Sequence, residues 1–74
     1  MEIKAGQIYK HFKGFEVRVI CIAKHSETLE DYVVYDHMGT NELAENWVRP
    51  LHMFLETIER DGKTFPRFTF VSDN

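Results

Sequence analysis

The chain has 74 residues, of which 43% are hydrophobic, and a formal net charge of −3. It is long enough for one small domain but not two, and too apolar for a disordered tail. A lone cysteine, Cys21, excludes an intramolecular disulfide, and no apolar run approaches the roughly 20 residues that a membrane-spanning helix needs.

Residues Gln7 to Ala23 carry the strongest β signal and give the rest of the chain a surface to pack on. A first strand near 7–12 puts Ile8, Lys10 and Phe12 on one face and Tyr9 and His11 on the other. Lys13-Gly14 then reads as a tight turn, with Gly14 supplying a positive φ. In the second strand, near 15–23, Phe15, Val17 and Val19 alternate with Glu16 and Arg18, as in a half-buried antiparallel strand. From Val19 to Ala23 both faces are apolar, which predicts cover on both sides and a buried Cys21 thiol acting as a small hydrophobe.

Lys24 to Glu30 breaks the pattern, because Ser26 and Thr28 compete for backbone hydrogen bonds and favour a loop. A third strand follows near 31–36, built on Tyr32-Val33-Val34-Tyr35. His37 to Asn46 reads as a loop with a turn at Gly39-Thr40-Asn41 and at most one helical turn over Glu42-Leu43-Ala44-Glu45. A fourth strand near 46–49 ends at Pro50, which lacks a donor, and continues at 54–59 after a tight turn. Asp61-Gly62 is a strong hairpin signal. It leads to a last strand near 66–71, which Pro66 confines to a sheet edge. The whole predicts an all-β fold, with residues 1–74 forming one small, five-stranded, mostly antiparallel barrel and at most one or two short helical turns.

Five stretches, taken together, resemble a known family. Tyr9-Lys10-His11-Phe12-Lys13-Gly14, Ala23-Lys24-His25-Ser26-Glu27-Thr28, Val33-Val34-Tyr35, Trp47-Val48-Arg49-Pro50-Leu51 and Met53-Phe54-Leu55-Glu56 occur in the order and spacing of the DUF1653 family of small bacterial proteins. The likeness runs from about Gly6 to Phe68 and departs from the family pattern between His37 and Asn46. It implies a bacterial source and a barrel of the SH3-like kind, and it implies no activity.

Several residue groups bear on function. His25-Ser26-Glu27-Thr28 is the densest polar cluster. Adjacent side chains rarely converge as a triad, and no nucleophile elbow is present, so a loop that satisfies its own backbone outweighs catalysis. His11, His25, His37 and His52 lack zinc-type spacing, so no metal and no cofactor are expected. Arg49 is the only base between residues 25 and 59, a stretch of net charge −7, so a carboxylate partner such as Glu27 is expected. Trp47 beside it has the character of an interface anchor.

The expected binding residues are therefore His11, Lys13, His25, Ser26, Glu27, Thr28, Tyr35, Trp47 and Arg49, with the 25–28 loop and the 47–50 segment as neighbours. The favoured function is a non-catalytic, cytoplasmic binding module for a protein, peptide or small polar ligand, with no membrane partner. A first alternative is a nucleic-acid-binding barrel using the basic face of strands 1 and 2, since residues 1–24 carry a net +3. The overall negative charge speaks against it. A second alternative is a small enzyme using His25 and Glu27.

Overall fold

A computed structural model describes residues 2–38 and 46–73 of the chain. Among the described residues the protein is all-β apart from one helical turn. Its strands are β1 (Ile8–His11), β2 (Glu16–Lys24), β3 (Asp31–His37), β4 (Trp47–Pro50), β5 (Thr57–Arg60), β6 (Lys63–Pro66) and β7 (Phe68–Ser72), and helix α1 (Leu51–Phe54) lies between β4 and β5. Five strands form one antiparallel sheet in the order β4-β3-β2-β1-β7, and β5 and β6 form a separate hairpin.

Several points differ from the sequence expectation. Among the described residues the strands do not close into a barrel, because β5 and β6 pair only with each other. The segment 54–59 is not a continuation of the fourth strand. Pro50, with φ −52°, ends β4 and opens α1, and Phe54 is buried at the end of that turn. One helical turn is unstable alone, so the burial of Phe54, worth about 1.5–3 kcal/mol, has to hold it. Cys21 is exposed rather than buried. The cause is a bulge between Val19 and Cys21, where the register against β3 shifts by one residue. The extra residue reverses the alternation, so that Ile22 and not Cys21 falls opposite the buried Val33. Ile20 and Ile22, expected to be covered, are likewise among the exposed apolar side chains. The turn and helical turn expected within residues 39–45 lie outside the described residues.

Both glycine turns form as the residue types require. Gly14 has φ +107°. Asp61 and Gly62 have φ 53° and 77°, the paired positive values of a type I′ hairpin. Pro66 does not open the last strand, as expected from sequence, but ends β6, which among the described residues pairs only with β5, so that there are seven strands rather than five.

The core lies on one face of the large sheet. Tyr9, Val17, Val19, Val33, Tyr35 and Phe68 point inward, and Ile3 and Phe54 cover them. Phe54 stacks on Phe68 with ring centres 4.1 Å apart and meets Tyr9 edge-on at 5.2 Å. The buried Gln7 satisfies its polar groups locally. Its Oε1 accepts from the Lys4 backbone N–H at 2.8 Å and from the Tyr9 hydroxyl at 3.0 Å. Burial, with Asp73 second, raises the Tyr9 pKa above its ordinary value.

Candidate functional site: an aromatic and cationic rim on the inner face

Residues directly opposite one another in an antiparallel sheet share a face. The register puts Tyr9 opposite Val17, Val17 opposite His37, Val33 opposite Arg49, and Tyr35 opposite Trp47. Two further pairs, Tyr9 with Phe70 and His11 with Phe68, complete this inner face. Phe54 and Ile3 cover its middle. A row of rings continues along one rim from β1 to β4. His11 stacks on Phe15 (4.5 Å, 10°), Phe15 on His37 (4.6 Å, 31°) and His37 on Trp47 (5.5 Å, 23°). Each strand supplies the next ring because hairpin pairing brings the strand ends together.

Cations gather beside this row. The Arg49 guanidinium lies over the Phe68 ring at 5.8 Å. Its Nε is shut away from solvent and has no hydrogen-bond partner among the described residues. Arg67 differs, since its guanidinium is held by the Glu56 carboxylate, with Nε 3.1 Å from Oε1. His11 is buried, and its Nδ1 accepts the Lys13 backbone N–H at 3.1 Å. That bond makes the ring neutral, with the proton on Nε2. Burial first, then the positive charges of Arg49, Arg67, Lys13 and His37, hold the His11 pKa below its ordinary value. One other side-chain atom, Asp36 Oδ1, is buried and unpaired. Its carboxylate is already compensated, because Oδ2 accepts from Arg18 at 3.1 Å. Arg49 has no such compensation among the described residues.

The structure therefore divides the expected site residues. His11, Lys13, Tyr35, Trp47 and Arg49 belong to the rim or its base, with Tyr35 buried in the core and 6.2 Å from His37. His25, Ser26, Glu27 and Thr28 do not. Their loop satisfies its own backbone, as His25 Nδ1 accepts from the Glu27 and Thr28 N–H groups at 3.1 and 3.3 Å. The Glu30 N–H donates to Thr28 Oγ1 at 3.2 Å. His25 packs on Tyr32, which alternates with Val33 and so faces away from Arg49.

The expected ion pair between Arg49 and Glu27 is thus absent. The two segments lie toward the same end of the sheet, and His25 lines one pocket with Tyr32 and Val48, but Arg49 is on the opposite face with Val33. The carboxylates near the loop are used elsewhere, Asp31 by Lys24 at 2.8 Å and Glu30 by His52 Nδ1 at 2.8 Å. Phe15, His37, Phe68 and Arg67 belong to the site and were not singled out as binding residues from sequence. Among the described residues, no three His, Cys, Asp or Glu side chains are grouped as metal ligands would be.

A small antiparallel sheet with one capped face and an aromatic, cationic rim defines a compact β domain. The chain belongs to the DUF1653 family of proteins of unknown function, whose model matches residues 7–70. It is similar to a protein of that family from Bordetella bronchiseptica, known from a crystal structure. The two share 28% identity with a TM-score of 0.81, over 96% of this chain and 90% of that one. No curated protein matches the chain.

Proposed function

We propose that the protein is a non-catalytic binding module that holds a small anionic ligand on its inner rim, with Arg49 as the main contact. The observation that carries this reading is the Arg49 Nε–H, buried and without an acceptor, on a cation with no carboxylate partner among the described residues. A buried N–H left unmade costs about 1–3 kcal/mol, which an arriving oxyanion recovers. Arginine's planar fork suits carboxylate or phosphate. The neutral His11 and the nearby Lys13 add a donor and a positive charge on the same side.

The basic side chains of strands 1 and 2 support a nucleic-acid track less well. Lys10 faces Glu16, Arg18 bonds to Asp36 and Lys24 to Asp31, so their charges are largely cancelled. An enzyme built on His25 and Glu27 finds little support either, since that imidazole serves as an acceptor within its own loop.

The strand order favours the SH3-like description of the fold. Four strands form a meander, a helical turn follows, and the last strand returns to pair with the first, with the β5–β6 hairpin as an insertion. The relative from Bordetella bronchiseptica supports a bacterial source, and an exposed free thiol at Cys21 suits the reducing cytoplasm.

The test is titration with inorganic phosphate, followed by the NMR signals of the arginine Nε–H groups. A saturable shift of the Arg49 signal is expected, abolished in Arg49→Gln and retained in His25→Ala. Phosphate that leaves Arg49 unmoved, or shifts every surface arginine equally, would remove the basis of the reading.

A further inference from the structure

Among the described residues, the row of rings on the inner rim is open at one end. His11, Phe15 and His37 are each followed by another ring on the next strand, with neighbouring planes tilted by 31° or less. Trp47 ends the row. It stands on β4, the edge strand of the sheet, with one face against His37 and 46% of its surface exposed. A large exposed indole, pre-oriented by a stacked neighbour, is a platform for a flat group rather than for an aliphatic chain. Arg49 lies two residues along the same face of β4, about 7 Å away by strand geometry.

The two features together specify a ligand with two parts: a planar ring that continues the stack, and an anion held off it by a spacer long enough to follow two residues of strand. A sugar is a spacer of that length, whereas a single methylene is not. We infer that the anionic ligand of the rim is a nucleotide unit, its base stacked on the outer face of Trp47 and its phosphate on Arg49. This inference rests on the anion-binding reading above and adds the base to it. The neutral Nε2–H of His11 and the imidazole of His37 stand on the same rim, at the inner end of the row and beneath Trp47 respectively.

Trp47 is the only tryptophan in the chain, so its fluorescence reports directly on the stack. The experiment titrates the full chain with adenosine monophosphate, adenosine, inorganic phosphate and a short oligoadenylate, reading fluorescence and, for the tryptophan variants, NMR shifts. Adenosine monophosphate is expected to quench saturably and to bind about tenfold or more tighter than phosphate, the gain that one base–aromatic stack gives. Trp47→Phe should keep most of that gain. Trp47→Leu should lose it while still binding phosphate, and an unchanged unfolding midpoint in both variants separates loss of the platform from loss of the fold.

If adenosine monophosphate binds no tighter than phosphate, the base is not recognised and the inference fails, while the anion reading stands. If neither binds, both fail. Oligoadenylate binding with steep salt dependence, when the monophosphate is silent, assigns the same base-and-phosphate chemistry to an unpaired strand instead of a free nucleotide.

Discussion

Arg49 offers a sharp test of whether the rim is built for stability or for binding. In Arg49→Met the apolar stem is kept and the guanidinium removed, so packing over Phe68 is largely retained. The unmade Nε–H bond costs the folded protein about 1–3 kcal/mol. Contact with the Phe68 ring returns about 0.5–1 kcal/mol. Arg49 is also the leading positive charge among those that lower the His11 pKa. The substitution should therefore stabilise the protein by about 0.5–2 kcal/mol, which raises the unfolding midpoint of a domain this size by about 3–10 °C. Thermal unfolding followed by circular dichroism measures this, and phosphate titration of the same variant should show binding lost. An NMR titration adds an independent reading, because removing the leading positive neighbour should move the His11 pKa up toward its ordinary value. A variant that is destabilised, with His11 unchanged, would mean that Arg49 is a structural residue and that its unpaired Nε is no sign of a ligand.

Other perturbations test the frame that holds the rim. Gly62→Ala puts a side chain at φ +77° in open space, so backbone strain alone acts. A loss of about 1–2 kcal/mol is expected in urea unfolding, and an unchanged midpoint would contradict the type I′ turn. Leu29 is the opposite case: it holds φ 62° and is 66% exposed. Leu29→Gly should therefore raise stability by up to about 1 kcal/mol, and a clear loss would show that the leucine side chain holds the loop. Phe54→Ala empties the cap over Tyr9 and Phe68 and should cost about 3–5 kcal/mol, enough to leave little folded protein by circular dichroism. His11 sets a pH dependence. Its folded pKa lies below the unfolded value of 6.5, so the unfolded chain binds the extra proton first. Stability from this residue is full above pH 6.5 and falls as pH drops below it. His11→Phe should flatten the slope of midpoint against pH between 6.5 and 5, and an unaltered slope would assign it to other groups.

The strands were legible where local chemistry dictates them, and the site was not, because it depends on register. Alternation in Val17 and Val19, the Tyr-Val-Val-Tyr run of β3 and the Asp61-Gly62 turn are local signals, and each appears in the fold. The bulge at Ile20 has no local signature, yet it reverses which of Cys21 and Ile22 faces the core. Arg49 stood out as the only base in an acidic stretch, but its face could not be read without the pairing of Val33 with Arg49. Its expected partner Glu27 makes no ion pair with it, and the neighbouring Glu30 and Asp31 bond to His52 and Lys24. Phe15 and His37 are separated by a whole strand and its loop. Only the pairing of Val17 with His37 brings them to 4.6 Å.

The contrast between the two inner arginines explains why this rim keeps a free cation at all. Arg67 follows the β5–β6 hairpin, and its backbone is clamped on both sides. The Phe12 N–H donates to the Arg67 carbonyl at 3.0 Å, and the Arg67 N–H donates to the Glu56 carbonyl at 3.0 Å. Its guanidinium is tied to the Glu56 side chain, so this arginine fastens the hairpin to the turn between β1 and β2. Arg60 of the same hairpin lies over the Phe12 ring at 5.4 Å and reinforces the attachment. With Glu56 committed there, Glu30 to His52 and Asp31 to Lys24, Arg49 has no ion-pair partner among the described residues. A carboxylate within reach of Arg49 would remove the unpaired donor and with it the basis of the proposed anion site. The arrangement of acids around the sheet, as much as the arginine itself, leaves this cation without an ion-pair partner among the described residues.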